Sequence, residues 1–417
     1  MEGRVRRHIA TETLSSMPRK HRPDYWLFVL CIILLAIGLV VVYAISPALG
    51  IVNGVSQNYY AYKQVIAVLL GIVAFFIIAQ IPLRKWQSLY KPLMIFAIIV
   101  TLAALVMPVN TQYPAHRWLR LGGFSFQTVE LLKFAILVWL AVFLANCIRK
   151  GTVATKKTLM TLLILVMVVG VVITVVQSDL GSTGVIVAMI AMMAFIAGLP
   201  FKRIVMIFAI ILIGTILVIS ATPYRRERLT TYLHPDQNCL GSGLQACQAL
   251  IAVGSGGTIG LGLGRSVEAY GYLPESGNDS IFAIYGEKFG FIGSIVLLAL
   301  FVALFSRLKN IIERAPDDFS RLAVVGVLAW ISVQTLINIG AMIGLLPLKG
   351  ITLPFISYGG TSVVFIMAAM GLVFQVSRHT SYIVPIEDKA EGNYRDNNHT
   401  DRRRLRGSYN SAVSGRP

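Results

Sequence analysis

The sequence predicts an all-α polytopic membrane protein of about ten transmembrane helices, with one long extracytoplasmic loop between the seventh and the eighth. Three observations lead there. The 417 residues are 56% hydrophobic and 13% charged, with a mean hydropathy of +0.72, which is more apolar material than one water-surrounded core would hide. Apolar runs of about 17–25 residues, the length that crosses a hydrocarbon layer, recur along the chain. The net charge of +18 is concentrated, with Arg4, Arg6, Arg7, Arg19, Lys20 and Arg22 before the first run and Arg402, Arg403, Arg404 and Arg406 after the last. Basic ends and basic alternate connections are the positive-inside pattern. A nucleic-acid surface would interleave aromatics among these arginines, which neither tail does, so no nucleic-acid partner is expected.

The chain therefore divides into a basic cytoplasmic tail (1–24), a ten-helix membrane region (25–376) and a second basic cytoplasmic tail (377–417), polar enough to read as disordered. The first span, Tyr25–Ser46, is too long for a signal-peptide core and no small-residue cleavage site follows it, so it is read as retained. Tyr62–Ile81 comes next, then an inside turn at Pro82–Trp86 and a third span, Pro92–Pro108. An outside loop holding His116-Arg-Trp-Leu-Arg120 leads to the fourth, Thr128–Ile148, closed inside by Arg149, Lys150, Lys156 and Lys157. Leu159–Val176 and Thr183–Leu199 are separated by the tight outside turn Gln177-Ser-Asp-Leu-Gly181, and Lys202 and Arg203 precede the seventh span, Ile204–Ala221. The long loop (222–279) follows, then Ser280–Phe305, Leu322–Leu345, an outside turn at 347–360, and Thr361–Val376. An even number of spans leaves both basic tails on one side, as the charge pattern requires. No inverted repeat of the transporter kind is evident.

The long loop and its neighbours carry the chemistry. Asn278, Asp279 and Ser280 are all residue types that cap helices. Asp279 and Glu287, eight residues apart, would share a helical face if the eighth helix began that early. A shielded carboxylate at the outer boundary can accept a proton from a sugar hydroxyl, which makes Asp279 the candidate base. Glu287 lies within an apolar helix, where ionisable groups are costly, although its neighbour Lys288 can offset the charge. Glu275 is the third carboxylate at the exit of the loop. Glu130 and Lys133, three apart in the fourth span, are spaced to pair, either structurally or functionally. Asp179 reads as a turn or cap residue that could also help hold a divalent cation.

Arg117, Arg120, Arg225, Arg226 and Arg228 lie outside, against the charge rule, either on a solvated loop face or gripping phosphate oxygens. The glycine run 254–264 lacks the P-loop ending and the dinucleotide spacing, and reads as backbone that packs closely or moves beside a substrate. Cys239 and Cys247 fall in the outside loop, where a disulfide is open to them but not fixed by spacing. The six histidines make no metal-ligand spacing.

Five segments together resemble a known family. They are His116-Arg-Trp-Leu with Gln127-Thr-Val-Glu-Leu-Leu-Lys133; Gln177-Ser-Asp-Leu-Gly181; Tyr272-Leu-Pro-Glu through Asn278-Asp-Ser-Ile-Phe-Ala283; Gly286-Glu-Lys-Phe-Gly-Phe-Ile-Gly293; and Leu353-Pro-Phe-Ile-Ser-Tyr-Gly-Gly360. In this order on this plan the chain resembles the SEDS proteins (shape, elongation, division and sporulation), the FtsW and RodA group. Pro223-Tyr-Arg-Arg-Glu-Arg-Leu229 and Leu346-Pro-Leu-Lys-Gly-Ile-Thr-Leu-Pro354 look closer to the division branch, FtsW, than to the elongation branch.

The resemblance implies a peptidoglycan glycosyltransferase that polymerises lipid II into glycan strands, in septal wall synthesis during cell division. Asp279 would be the essential base, and Glu130 and Lys133 a required pair. It further implies a divalent cation (Mg or Mn), a class B penicillin-binding transpeptidase and other division proteins as partners, and the bacterial cytoplasmic membrane. Arg117, Arg225, Arg226, Glu275 and Glu287 are the remaining residues expected to bind substrate. The family usually carries Thr-Asp-Phe-Ile-Phe where Asn278-Asp-Ser-Ile-Phe282 stands, and a second glutamate at Lys288. A lipid II flippase and a transpeptidase scaffold are the rival readings.

Overall fold

The computed structural model describes residues 19–20, 22–107, 117–121, 124–207, 209, 214, 239–241, 243–348 and 350–380. Residues 20–380 form one compact unit. Most of both predicted tails, most of the seventh span and the first part of the long loop (222–238) therefore lie outside the described residues.

The first six predicted spans are helices. Helix α1 (Tyr25–Asn53) is opened by Asp24, whose carboxylate accepts from Trp26 N at 3.0 Å. It continues past the expected end at Ser46 because Pro47 forfeits only one ladder bond and an apolar stretch follows. Helix α2 covers Tyr59–Gln80. Helix α3 (Leu83–Val106) begins nine residues before the predicted Pro92, turning the expected inside connection into helix. Hydropathy registers the part of a helix that lies in lipid, and residues 83–91 form a basic amphipathic start that burial of Trp86 holds in place. Two antiparallel strands, β1 (Trp118–Leu121) and β2 (Phe124–Gln127), occupy the end of the predicted outside loop, whose residues 108–116 lie outside the described residues. The second feeds directly into α4 (Thr128–Arg149). Helix α5 (Lys156–Val171) ends in a π turn at Val172–Val176, and α6 spans Leu180–Ile196.

A short helix, α7 (Leu244–Ser255), lies in the long loop where none was predicted, and the Cys239–Cys247 disulfide closes its first turn. Helices α8 (Ile281–Glu313), α9 (Asp318–Met342) and α10 (Gly360–Val376) complete the order. Seven of these helices are long and apolar enough to cross a membrane, and three apolar helices are shorter, among the described residues.

Burial sorts the helices into centre and periphery. The apolar windows of α4 and α9 are 78% and 72% buried, against 17% for α3 and 22% for α8. Polar groups on α4 and α9 are thus held inside protein, while α3 and α8 turn most of their surface outward as lipid-facing helices do. Helix α10 lies close along α2, where a Cβ on Gly371 would collide with the backbone of Phe75. Small residues permit this approach in membrane bundles.

Helix α8 is broken at Gly290, whose φ of 65° and ψ of −163° only glycine adopts readily. The glycine run lies against this break, backbone on backbone: a Cβ on Gly256 would strike Gly286 O, and one on Gly260 would strike Lys288 O. Leu261 N and Gly262 N donate to the carbonyls of Glu287 and Lys288, at 2.9 and 3.0 Å. Phe291 N and Ile292 N donate to Gly257 O and Thr258 O, at 2.9 and 3.0 Å. Of the two roles open to the run, close packing is the one the fold displays.

Candidate active site

The site is assembled from four connections at the helix ends that the charge pattern assigns to the outside: the hairpin, the α5–α6 turn, the turn before α8 (275–280), and a buried irregular strap (351–359) before α10. Gly38 of α1 meets this strap so closely that a Cβ would come within 2.6 Å of Phe355 O. Phe355 is fully buried with φ 65°.

Asp279 sits two residues ahead of α8, which starts at Ile281 with Ser280 as its cap. The shared helical face expected for Asp279 and Glu287 therefore does not form. Instead, the turn before α8 is built by Glu275 (φ 52°), whose carbonyl accepts from Asn278 N and Ser280 N and whose carboxylate accepts from Asn278 Nδ2 at 2.6 Å. Ser357 Oγ donates to Asn278 O at 2.7 Å, and Tyr358 N to Gly277 O at 2.8 Å, so the strap and the turn are sewn together. Burial, with Tyr59 and Tyr60 nearby, pushes the Tyr358 hydroxyl up to about 12.

The carboxylate of Asp279 and the guanidinium of Arg117 converge at Gly350. Oδ2 of the first lies 3.3 Å and Nη1 of the second 3.9 Å from where a Cβ on that glycine would sit. A side chain at position 350 would press against both the carboxylate and the guanidinium. Arg117 is itself fixed: Nε donates to Gln177 O at 2.6 Å and Nη2 to Ser178 O. Two of its donors thus hold the α5–α6 turn.

Behind this pair, Lys133 and Glu130 form the ion pair their spacing allowed, at 2.6 Å and all but inaccessible. Lys133 Nζ also donates to Gln334 Oε1 at 3.0 Å and lies 5.0 Å from the ring centre of Trp330.

Other expected residues take different partners. Glu287 is buried, its oxygens accepting from Ser266 Oγ, Val267 N and Glu268 N, so it holds the loop 266–268 and is no neighbour of Asp279 in this hydrogen-bond network. Its neighbour Lys288 donates to Leu263 O at 2.9 Å. Asp179 caps α6, accepting from Ser182 N and Ser182 Oγ at 2.9 Å each. Both its oxygens are engaged in that cap, and there is no group of three His, Cys, Asp or Glu side chains placed to share a metal ion among the described residues. Arg225 and Arg226 lie outside the described residues. Cys239 and Cys247 are bonded.

Gln334, Asn338 and Glu268 are buried polar residues of this region that the sequence reading did not single out. The first two were detectable as amides four apart in an apolar span. Burial, then the charge of Glu287, holds the Glu268 carboxyl above the ordinary carboxylate range.

A bundle of membrane-spanning helices with a carboxylate and a guanidinium brought to one glycine at one end, and a buried ion pair among the helices, defines a polytopic membrane protein with a polar site at its surface. The pattern that defines the cell cycle proteins FtsW, RodA and SpoVE matches residues 25–382, and the chain belongs to that family. It is 36% identical over 365 residues to "Stage V sporulation protein E" of Bacillus subtilis, covering 87% of this chain and 99% of that one. It is 35% identical over 374 residues to "Probable peptidoglycan glycosyltransferase FtsW" of Saccharophagus degradans, covering 89% and 96%. Among solved structures it is similar to a chain of a peptidoglycan synthase complex that coordinates polymerization and crosslinking, with TM-score 0.68, 27% identity and coverage of 85% and 98%. It is also similar to the rod shape determining protein RodA of Thermus thermophilus, with TM-score 0.61, 25% identity and coverage of 85% and 97%.

Proposed function

We propose that this chain is a peptidoglycan glycosyltransferase that polymerises lipid II at the outer face of the bacterial cytoplasmic membrane, with both termini in the cytoplasm, working with a class B penicillin-binding transpeptidase during division. Family membership and relatives named as glycosyltransferases support the activity. The likeness to a synthase complex supports the partner. The observation that carries the reading is the convergence of the Asp279 carboxylate and the Arg117 guanidinium on the bare face of Gly350.

In this mechanism Asp279 takes the proton from the 4-hydroxyl of an acceptor GlcNAc. The oxygen attacks the anomeric carbon of MurNAc at the reducing end of the growing strand. The bond from that carbon to phosphate breaks, and undecaprenyl pyrophosphate leaves with the electron pair. One displacement inverts the anomeric centre. Arg117, already fixed by two carbonyls, presents its remaining donors to negative charge without having to reorganise. Arg225 and Arg226 serve the same leaving group from the long loop. Glu130 and Lys133 act from beneath, through Gln334 and the strap. A divalent cation belongs to the proposal by family resemblance, and no step is routed through it.

The test is polymerisation of lipid II by purified protein, alone and with a transpeptidase. Asp279→Ala should abolish glycan strands while leaving expression and melting unchanged. Strands of normal length and yield from that variant would refute the assignment.

A further inference from the structure

Helix α9 carries Trp330, Gln334 and Asn338 at intervals of four, one above another on a single face. All three are buried, with exposures of 0%, 0% and 2%. A carboxamide in such surroundings is costly unless its groups are hydrogen-bonded. The bonds form a ladder. Gln334 Oε1 accepts from Lys133 Nζ at 3.0 Å and from Trp330 Nε1 at 2.8 Å. Its Nε2 donates to Thr352 O at 3.0 Å and Thr352 Oγ1 at 3.2 Å. One turn further along, Asn338 Nδ2 donates to Ile351 O at 2.6 Å and to the backbone carbonyl of Asp279 at 2.7 Å.

The other half of the Asn338 amide is unused, since Oδ1 is buried with no hydrogen-bond partner. A leucine would fill similar space and remove that orphaned acceptor. What the amide supplies is two N–H bonds from one nitrogen, directed at two main-chain carbonyls on different segments. One belongs to Asp279. The other lies next to Gly350, the glycine that the Asp279 carboxylate and the Arg117 guanidinium both approach.

We infer that Asn338 is a positioning residue for glycosyl transfer, clamping the main chain of Asp279 to the strap so that the carboxylate is held beside Arg117. This rests on the reading of Asp279 as the base. Gln334 fixes the adjacent strap residue by the same means and ties it to the Glu130–Lys133 pair.

The experiment uses full-length protein in detergent, with Asn338→Leu and Asn338→His, the imidazole Nδ1–H standing near the lost amide donor. With lipid II as substrate, Asn338→Leu should lower kcat by about 10²-fold, the cost of a misplacement near 1 Å, and leave KM within about twofold. Its melting temperature should fall modestly, because the Asp279 and Ile351 carbonyls lose their donor while only one orphaned acceptor is removed. Asn338→His should recover part of kcat. Amide exchange over residues 275–283 should be faster in the leucine variant, a readout that does not need turnover. An unchanged kcat, a loss that tracks a lowered melting temperature without rescue by histidine, or unchanged exchange would each overturn the inference. A wild-type protein that makes no polymer would overturn the proposed function instead, and the exchange measurement would still decide whether Asn338 tethers Asp279.

Discussion

Lys133→Met isolates the electrostatics beneath the site. Lys133 and Glu130 are 1% and 2% exposed, and the 2.6 Å bond between them is the only one Glu130 Oε1 makes among the described residues. Glu130 Oε2 is buried without a partner. Removing the lysine therefore leaves a carboxylate with no compensation, a change that costs about 3–5 kcal/mol. Over 417 residues, an unfolding entropy of about 2.1 cal/mol/K per residue converts that into a Tm lower by roughly 3–6 °C. Adding Glu130→Gln to the same protein discharges the stranded group, and a neutral replacement of a buried pair is often harmless or stabilising. The double variant should thus melt above the single one. Melting in detergent can be followed with a thiol-reactive dye, since Cys31 and Cys147 are free and buried and become reactive only on unfolding. Single and double variants that melt together, or a single variant that melts like wild type, would refute the reasoning.

Two further predictions concern the loop before α8 and the break in α8 against which it packs. Glu268 has its carboxyl raised by burial and by Glu287, so the charged form is disfavoured in the fold. Below the unfolded pKa of about 4.3 neither state is charged and there is no cost; the cost grows as pH rises through the unfolded and then the folded value. Glu268→Gln should accordingly raise Tm at pH 7, with a gain that shrinks on acidification, and a gain independent of pH would contradict this. Gly290→Ala should cost about 1–3 kcal/mol from the backbone conformation alone, before the collision of its Cβ with Gly260 N and Ile259. Gly264→Ala, which meets open space, is the control. Equal thermal stability of the two variants would show the break to be unimportant.

The spans were legible because a hydrocarbon solvent imposes length and composition together, so α1, α2, α4 and α8–α10 could be placed within a few residues at most of their ends. The same signal is blind to helix outside lipid, which is why α3 begins nine residues early. Helix α7 is twelve residues long, below the length that hydropathy registers, and its place depends on packing against α8. The break at Gly290 was invisible because a glycine in a helix declares itself only when another backbone arrives to take the freed hydrogen bonds. Glu130 and Lys133 stood out as charges in an apolar span, Arg117 as an arginine on the side that the charge rule leaves poor in them, and Asp279 as a carboxylate at the outer boundary. Gln334 and Asn338 carry no charge, and their task became evident only once Thr352, Ile351 and Asp279 were seen to present carbonyls to them.

The joint at Gly290 has a consequence for which parts of the chain can be dispensed with. Residues 257–262 complete the hydrogen bonding of α8 where that helix cannot do so itself, and the surrounding Glu287, Lys288 and Gly290 are shut off from solvent. Excising that stretch would strand main-chain amides and carbonyls with nothing to replace them, at several kcal/mol for each group in an apolar medium. A segment that hydropathy alone would discard as a surface appendage is thereby an internal splice of the transmembrane scaffold, and a shortened version should fail to assemble rather than merely lose an accessory.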